Sequence, residues 1–308
     1  IYEIPQMTVV QKITLLSDQA KERVRNELGE ERDVYNEGEN PSVLESLLSP
    51  RAYMWSPDGR YLAFAGAMDS DNTDVCIYDN QQKSIQRLTS GPLDVEITGW
   101  SPDSNWIVYE AISRYTFMAG LLIDSIWSLN LIEKQPQYLL GSDDSGEWNV
   151  FDLLGWTSSE TFVANVGKWC GEKLVEVKVD KGISHISYSG YLGGVTLDED
   201  KQIVFASVAE DGYLGCFPEL DPGLYRLTLH SDSIVPIEMG YWRAEYLDTV
   251  NKFAVWDLVD SNNLWLYDAE GSPAIEINGI DTDNLVLNPS PDGKWIVISA
   301  GTPVVGSK

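Results

Sequence analysis

The 308-residue sequence has few of the side chains on which nucleophilic catalysis or zinc binding usually depends. It contains two histidines and three cysteines, and these lack the ligand spacing of a zinc site. A serine hydrolase needs a nucleophile elbow and a histidine base, but no G-x-S-x-G occurs, and His185 and His230 lie far apart in the sequence. Glycine-rich phosphate loops and dinucleotide fingerprints are also missing. The residues therefore do not point to any of these chemistries.

Basic residues are scarce as well. The chain has 21 Lys and Arg against 48 Asp and Glu, a formal net charge of −27. Such a surface repels nucleic acid and anionic membranes, so we expect neither as a partner. The simplest role of the surplus acids is to keep the protein dispersed, although a cationic ligand, Ca²⁺ or a salt-rich habitat also suits them. No apolar run reaches the roughly 18 residues of a spanning helix, so we expect no membrane span.

One tetrapeptide returns along the chain. It occurs in "WSPDGRYLAFAG" (55–66), "WSPDSNWIVY" (100–109) and "SPDGKWIVIS" (290–299). Proline presets φ at the first corner of a type I turn, aspartate suits the second, and Gly59 takes the left-handed conformation. Such a turn joins antiparallel strands through a bulge. Three copies are typical of a structural unit, so we interpret Asp58 as a turn residue rather than a catalytic acid.

Weaker copies at 156–166, 196–208 and 245–257 bring the hairpins to six, at a spacing of about 40–50 residues that is typical of propellers. A second strand–turn–strand segment follows each of the first five hairpins, as in "DVCIYDNQQKSIQRLT" (74–89). Two hairpins per repeat make a four-stranded blade. The sequence therefore predicts an all-β fold, a six-bladed β-propeller of four-stranded blades.

The sixth copy lies too near the end of the sequence to be followed by two more strands. We expect residues 1–17 to supply the outer strands of this closing blade, whose inner strands are C-terminal, because closure hides open sheet edges. Residues 18–50 interrupt the repeat, and "SDQAKERVRNELGEE" (17–31) predicts a short amphipathic helix with a serine cap. Residues 51–308 hold the remaining blades of this single domain.

The W-S-P-D-G turn followed by D-φ-x-φ-Y-D resembles the repeat of TolB-like, WD40-like (SPDG-repeat) propellers. These are related to the propeller domains of prolyl oligopeptidase and tricorn-type proteins. The resemblance covers nearly the whole chain except 18–50, and it implies the fold rather than a function, because the shared residues are turn and core residues. It favours an extracytoplasmic location: periplasmic, secreted or lipid-tethered. A start at Ile1 rather than Met is consistent with a removed signal peptide.

The loops that lead into the innermost strands of a propeller share one face, at the mouth of the central channel. We expect the 18–50 insertion to lie over this face. Acids, aromatics and an arginine in these loops can stack on and orient a sugar or a cationic peptide end. These predicted ligand-binding residues are Asp94, Glu96, Trp148, Asn149, Tyr191, Trp242, Arg243 and Asp283. Alternatively, Trp148 and Trp242 only wedge between blades.

The cysteines and one acidic loop leave further alternatives open. Cys170 and Cys216 follow the second strands of adjacent blades, so they form either a disulfide or two free thiols. Cys76 lies in mid-strand and should be a buried, unreactive thiol. The loop "DSDNTD" (69–74) partly matches a calcium loop but lacks its glycine and glutamate, so it is a weak Ca²⁺ candidate. We predict no other metal or cofactor.

Two functions remain. The first is a non-catalytic binding or protein-interaction propeller, expected to be a monomer, that recognises a protein, peptide or glycan on the loop-rich face. The alternative is a carbohydrate- or peptide-active enzyme of the glycosidase or lyase type that uses acidic residues in the central funnel. The enzyme requires acids from neighbouring blades to converge in the central funnel, so their positions bear on the choice between these two functions.

Overall fold

A computed structural model of the chain describes a defined set of residues. These are 2–3, 8–9, 12–23, 26, 53–116, 120–141, 150–167, 172–190, 194–198, 203–208, 220–221, 223–229, 233–239, 242–247, 250, 252–257, 263–268, 273–279, 285–290 and 294–299. Residues 18–23 are helical, and most of the others lie in strands.

The strands follow the chain in this order: β1 (Tyr2–Glu3), β2 (Thr8–Val9), β3 (Tyr53–Trp55), β4 (Tyr61–Gly66), β5 (Asp74–Asp79), β6 (Ser84–Arg87), β7 (Asp94–Trp100), β8 (Trp106–Thr116), β9 (Gly120–Asn130), β10 (Pro136–Gly141), β11 (Val150–Trp156), β12 (Thr161–Gly167), β13 (Glu172–Lys178), β14 (Gly182–Gly190), β15 (Gly194–Asp198), β16 (Ile203–Val208), β17 (Gly223–Thr228), β18 (Ser233–Met239), β19 (Trp242–Leu247), β20 (Lys252–Asp257), β21 (Asn263–Tyr267), β22 (Pro273–Asn278), β23 (Val286–Pro289) and β24 (Ile296–Ser299).

In the described part of the chain, five sheets have four strands each. They are β3–β6, β7–β10, β11–β14, β15–β18 and β19–β22, and in each of them consecutive strands are hydrogen-bonded neighbours. The remaining pairs, β1–β2 and β23–β24, each form a two-stranded sheet. The predicted strand content and the grouping of hairpins into four-stranded sheets are confirmed. The fold is nearly all β and consistent with a propeller. Six blades and closure by residues 1–17 stay predictions.

The chain divides into two compact units. The first comprises Ile1–Phe162 and Val177–Ser184, and the second comprises Val163–Glu176 and His185–Lys308. Among the described residues, no helix is long and apolar enough to cross a membrane.

The repeated tetrapeptide forms the turn that its sequence predicts, and Ser56 organises it. The Ser56 hydroxyl donates to Asp58 Oδ1 at 2.6 Å and accepts the backbone N–H of Tyr61 at 2.9 Å. Gly59 has a φ of 70°, a left-handed conformation that glycine adopts without steric cost. The hydrogen bond from the Ser56 hydroxyl lowers the pKa of Asp58 below its usual value, and the hydrogen bond from the Arg60 backbone N–H adds a smaller lowering effect. Asp58 is thus a turn residue.

The second copy repeats this geometry with a different residue at the left-handed position. The Ser101 hydroxyl donates to Asp103 Oδ1 at 2.6 Å and accepts the N–H of Trp106 at 2.9 Å. Ser104 takes the place of the glycine, with a φ of 64°. Its hydroxyl also accepts the backbone N–H of Asp58 at 3.1 Å, so the turns of the first two four-stranded sheets touch each other.

Strand β4 is buried on both faces, as its apolar alternation predicts. Ala63 and Ala65 pack with residues of the β7–β10 sheet, including Trp100 and Tyr109. On the opposite face, Leu62 and Phe64 pack with Cys76 and Tyr78 of β5, and Ile13 and Leu15 lie against this cluster. Cys76 is fully buried, and burial raises the pKa of its thiol to about 12. The predicted burial of Cys76 is confirmed.

In the second unit, a core cluster packs the β19–β22 sheet against the last hairpin. Leu247, Trp256 and Leu264 contact Leu287 and the partly buried Ile296. Alternate residues of each strand supply these contacts because side chains of a strand point to opposite faces in turn.

Candidate functional site

The start of β7 lies against the helical segment that follows β2. Arg23 Nη1 donates to Asp94 Oδ1 at 3.1 Å, and Nη2 donates to Asp94 Oδ2 at 2.5 Å. The N–H of Thr73 also donates to Asp94 Oδ1, at 2.9 Å. Asp94 is only 3% exposed, so its carboxylate is committed to contacts within the chain.

The local sequence positions Arg23 for this contact. Ser17 caps the helical segment, since its hydroxyl accepts the N–H of Ala20 at 3.0 Å and thereby satisfies one of the free donors of the first turn. The same hydroxyl donates to the carbonyl of Ser70, and Ala20 is buried against Ala67. Residues 18–23 thus lie against the β4–β5 loop and the start of β7.

Further along β7, the carboxyl groups of Glu96 and Asp152 are near enough to Glu110 of β8 for their charges to act on it. Glu96 of β7 and Glu110 of β8 are directly opposite each other in the antiparallel pair, so both side chains extend from the same face of the sheet. Asp152 of β11 belongs to the next sheet. A Cβ at Gly99 would lie 3.2 Å from a methyl carbon of Leu153, which shows how closely β7 and β11 approach. We call Glu96, Glu110 and Asp152 the carboxyl cluster.

Glu110 has the least favourable surroundings of the three. It is 9% exposed, and in the described part of the chain no hydrogen bond or ion pair engages its carboxyl group. Burial, followed by the neighbouring carboxyl groups of Glu96 and Asp152, raises the pKa of Glu110 well above its usual value. Burial also raises the pKa of Asp152, which nevertheless keeps contact with solvent. Glu110 and Asp152 therefore retain protons to a higher pH than isolated carboxyl groups do.

Six other residues were predicted to bind a ligand together with Asp94 and Glu96. Trp242 and Arg243 lie on β19 in the second unit, where they pair with Asp257 and Trp256 of β20. Trp148, Asn149, Tyr191 and Asp283 lie outside the described residues, as do Cys170 and Cys216.

Glu110 and Asp152 were missed by the sequence analysis, although a signal was present. Each is a lone acid within an apolar strand, in "WIVYEAI" and "VFDLLGW". A charged residue in mid-strand is unusual where both faces are buried. That signal marks a site residue, but it does not say which other acids lie beside it.

The weak calcium candidate at 69–74 has internal cationic partners. Arg87 Nη1 lies 2.6 Å from Asp69 Oδ1, and Arg87 Nε lies 3.0 Å from Asp74 Oδ2. Asn72 accepts from Arg23. Within the described ranges, no group of His, Cys, Asp and Glu side chains has the arrangement of a metal site.

No protein-family model and no curated protein matches this sequence. Solved structures do match its fold. An oligogalacturonate lyase from Vibrio parahaemolyticus aligns at 11% identity over 80% of this chain and 69% of the lyase, with a TM-score of 0.52. A prolyl endopeptidase aligns at 12% identity over 82% of this chain and 42% of that protein, also at 0.52.

TolB from Acinetobacter baumannii aligns at 11% identity over 74% of this chain and 54% of TolB, with a TM-score of 0.40, too low to support an argument. At these identities the matches concern the fold alone. They are consistent with a β-propeller family.

Proposed function

We propose that this chain is a non-catalytic binding module that recognises a cationic group at the carboxyl cluster of Glu96, Glu110 and Asp152. One observation carries the proposal: Glu110 is nine-tenths buried among like charges and lacks a hydrogen-bond or ion-pair partner in the described part of the chain. A buried polar group without a partner costs free energy, and such exceptions mark functional sites more often than ordinary core positions.

An ammonium or guanidinium group supplies the hydrogen-bond donors that Glu110 lacks. It carries several N–H donors, and its positive charge favours the ionised form of each carboxyl group. The net charge of −27 attracts cations over a long range. The ligand class that fits is the cationic part of a protein or peptide, namely an amino terminus or a Lys or Arg side chain.

Asp94 is unsuited to this role although it lies two residues before Glu96. Its carboxylate already accepts two hydrogen bonds from Arg23 and one from Thr73. A ligand cation would have to displace Arg23, so we assign Asp94 to holding the helical segment rather than to recognition.

Calorimetric titration with arginine- and lysine-containing tripeptides, in 0.15 M salt to screen distant charges, tests the proposal. Glu110→Gln should weaken binding at least tenfold, whereas Glu133→Gln, which removes the same charge from an exposed turn, should change it less than twofold. Binding to the wild type should also release protons, seen as an enthalpy that depends on the buffer. Equal loss in both variants, or no binding of any tripeptide to the wild type, would contradict the proposal.

A carbohydrate- or peptide-active enzyme of the glycosidase or lyase type is the second candidate, because Asp152 of β11 lies near Glu110 of β8. A protonated Glu110 beside the more exposed Asp152 has the form of an acid and base pair. Binding is preferred because an acid–base catalyst must be held in orientation, and no described group holds the Glu110 carboxyl. If the wild type releases products from polysaccharides or peptides and Glu110→Gln does not, the result would favour the enzyme hypothesis.

The proposal includes two expectations from the sequence: an extracytoplasmic location, which rests on the repeat resemblance, and a monomeric state. Cell fractionation and light scattering after size-exclusion chromatography test them.

A further inference from the structure

A recess lies on the other side of β8 from the carboxyl cluster. Side chains alternate along a strand, so Tyr109 and Ala111 face this recess while Glu110 faces β11. The recess has a volume of about 320 Å³, the size of a small-molecule site. Its lining includes Gly91 and Leu93 of the loop between β6 and β7, Tyr109 of β8, and Asp124, Ser125 and Trp127 of β9.

One end of the recess is polar and held in place. Trp127 Nε1 donates to Ser125 Oγ at 2.8 Å, and Ser125 Oγ donates to Asp124 Oδ2 at 2.8 Å. The Trp127 ring is also fixed by an edge-to-face contact with Tyr138, at 5.5 Å between centroids. These contacts orient the Asp124 carboxylate before any ligand arrives, which lowers the entropy cost of binding.

The remaining surface of the recess is mostly apolar, and Asp124 is the charged residue among the lining residues that the structure describes. The nearby Arg87 does not neutralise it, because that guanidinium lies on Asp69 and Asp74. An apolar wall with an aromatic ring and one oriented carboxylate suits a ligand that has an apolar body and one positive charge.

We propose that this recess binds a small primary amine with an aromatic or aliphatic body. The body lies against Trp127, Tyr109 and Leu93, and the ammonium group donates to Asp124. The site is separate from the carboxyl cluster, and the inference does not depend on the proposed function.

Three probes of similar shape test the charge requirement: tryptamine, neutral 3-ethylindole and anionic indole-3-propionate. We expect ligand-observed NMR and calorimetry to show tryptamine binding to the wild type, weaker binding of 3-ethylindole, and no binding of the acid. Asp124→Asn keeps an acceptor for Ser125 but removes the charge, and it should weaken tryptamine binding about tenfold. Asp180→Asn, an exposed acid elsewhere, is the matched control and should have no effect.

A second variant tests the location without changing charge. A Cβ at Gly91 meets no atom within 4 Å, so Gly91→Leu fits the loop and has room to fill the mouth of the recess. It should abolish tryptamine binding, whereas Glu133→Leu on an exposed turn should leave it unchanged. Failure of tryptamine to bind the wild type at millimolar concentration would overturn the proposal. Unchanged binding in folded Asp124→Asn or Gly91→Leu would also overturn it.

Discussion

Arg23 and Asp94 are 71 positions apart in the sequence, yet their side chains form two parallel hydrogen bonds, at 3.1 and 2.5 Å. Asp94 is buried and the side chain of Arg23 is 24% exposed. The pair joins the segment after β2 to the first residue of β7. Paired guanidinium and carboxylate groups fix orientation as well as distance, so this contact holds residues 18–23 against the start of β7.

Arg23→Ala should destabilise the protein by about 3 kcal/mol, because it leaves the Asp94 carboxylate buried without its cation. Chemical unfolding monitored by circular dichroism measures the loss. The double variant Arg23→Ala/Asp94→Asn should recover part of it, since the uncharged amide costs less to bury. Lys21→Ala, which removes only an exposed pair with Asp18, should change stability by less than about 0.5 kcal/mol. Strictly additive losses would show that Arg23 and Asp94 are not coupled.

Glu110→Gln should stabilise the protein at high pH. The native pKa of Glu110 is raised, so between the ordinary and the raised value the native state binds more protons than the unfolded state. The free energy of unfolding therefore falls as pH rises through that window. The free energy of unfolding of the variant lacks this dependence on pH. We therefore expect the variant to be more stable than the wild type by about 1–3 kcal/mol at pH 8. At pH 4 the difference should be small, because Glu110 is then largely protonated in both the native and the unfolded state.

Thermal unfolding of the wild type and Glu110→Gln across this pH range measures the difference. Glu133→Gln should run parallel to the wild type, because that residue is exposed. A stability difference that does not vary with pH would contradict the raised pKa.

Ser56→Ala should cost about 1–2 kcal/mol, because one hydroxyl serves both the Asp58 carboxylate and the Tyr61 amide. Asp58→Asn should cost less, since the amide oxygen still accepts both bonds to Asp58 Oδ1. Ser84→Ala on the exposed β6 is the matched control, expected near zero. Denaturant midpoints of the three variants measure these stability losses. A loss of tripeptide or tryptamine binding in folded Asp58→Asn would contradict the assignment of Asp58 as a turn residue.

The state of Cys170 and Cys216 stays a prediction. Titration of thiols in denaturant should find one reactive thiol, that of Cys76, if the bridge forms, and three if it does not. Without denaturant, Cys76 should resist alkylation, because it is fully buried and its pKa is raised to about 12. Rapid labelling of Cys76 in the native protein would contradict its burial.

Local sequence was enough to predict the hairpins and the grouping of strands into sheets. The Ser-Pro-Asp-Gly turn depends on contacts over five residues or fewer, such as Ser56 to Asp58 and Tyr61, so its chemistry can be read from adjacent letters. The burial of β4 on both faces follows from its alternation for the same reason. Residues 17–20 likewise contain their own helix cap.

The carboxyl cluster and the partner of Asp94 were decided by tertiary structure. Asp94 and Glu96 were singled out from their position at the start of β7, but nothing near them in the sequence shows that Arg23 pairs with Asp94 or that Glu110 lies opposite Glu96. Electrostatic interactions depend on distance and burial, and these arise only when strands of different sheets pack together. The sequence could therefore predict which strands form, but not which of its 48 acids would lie near one another.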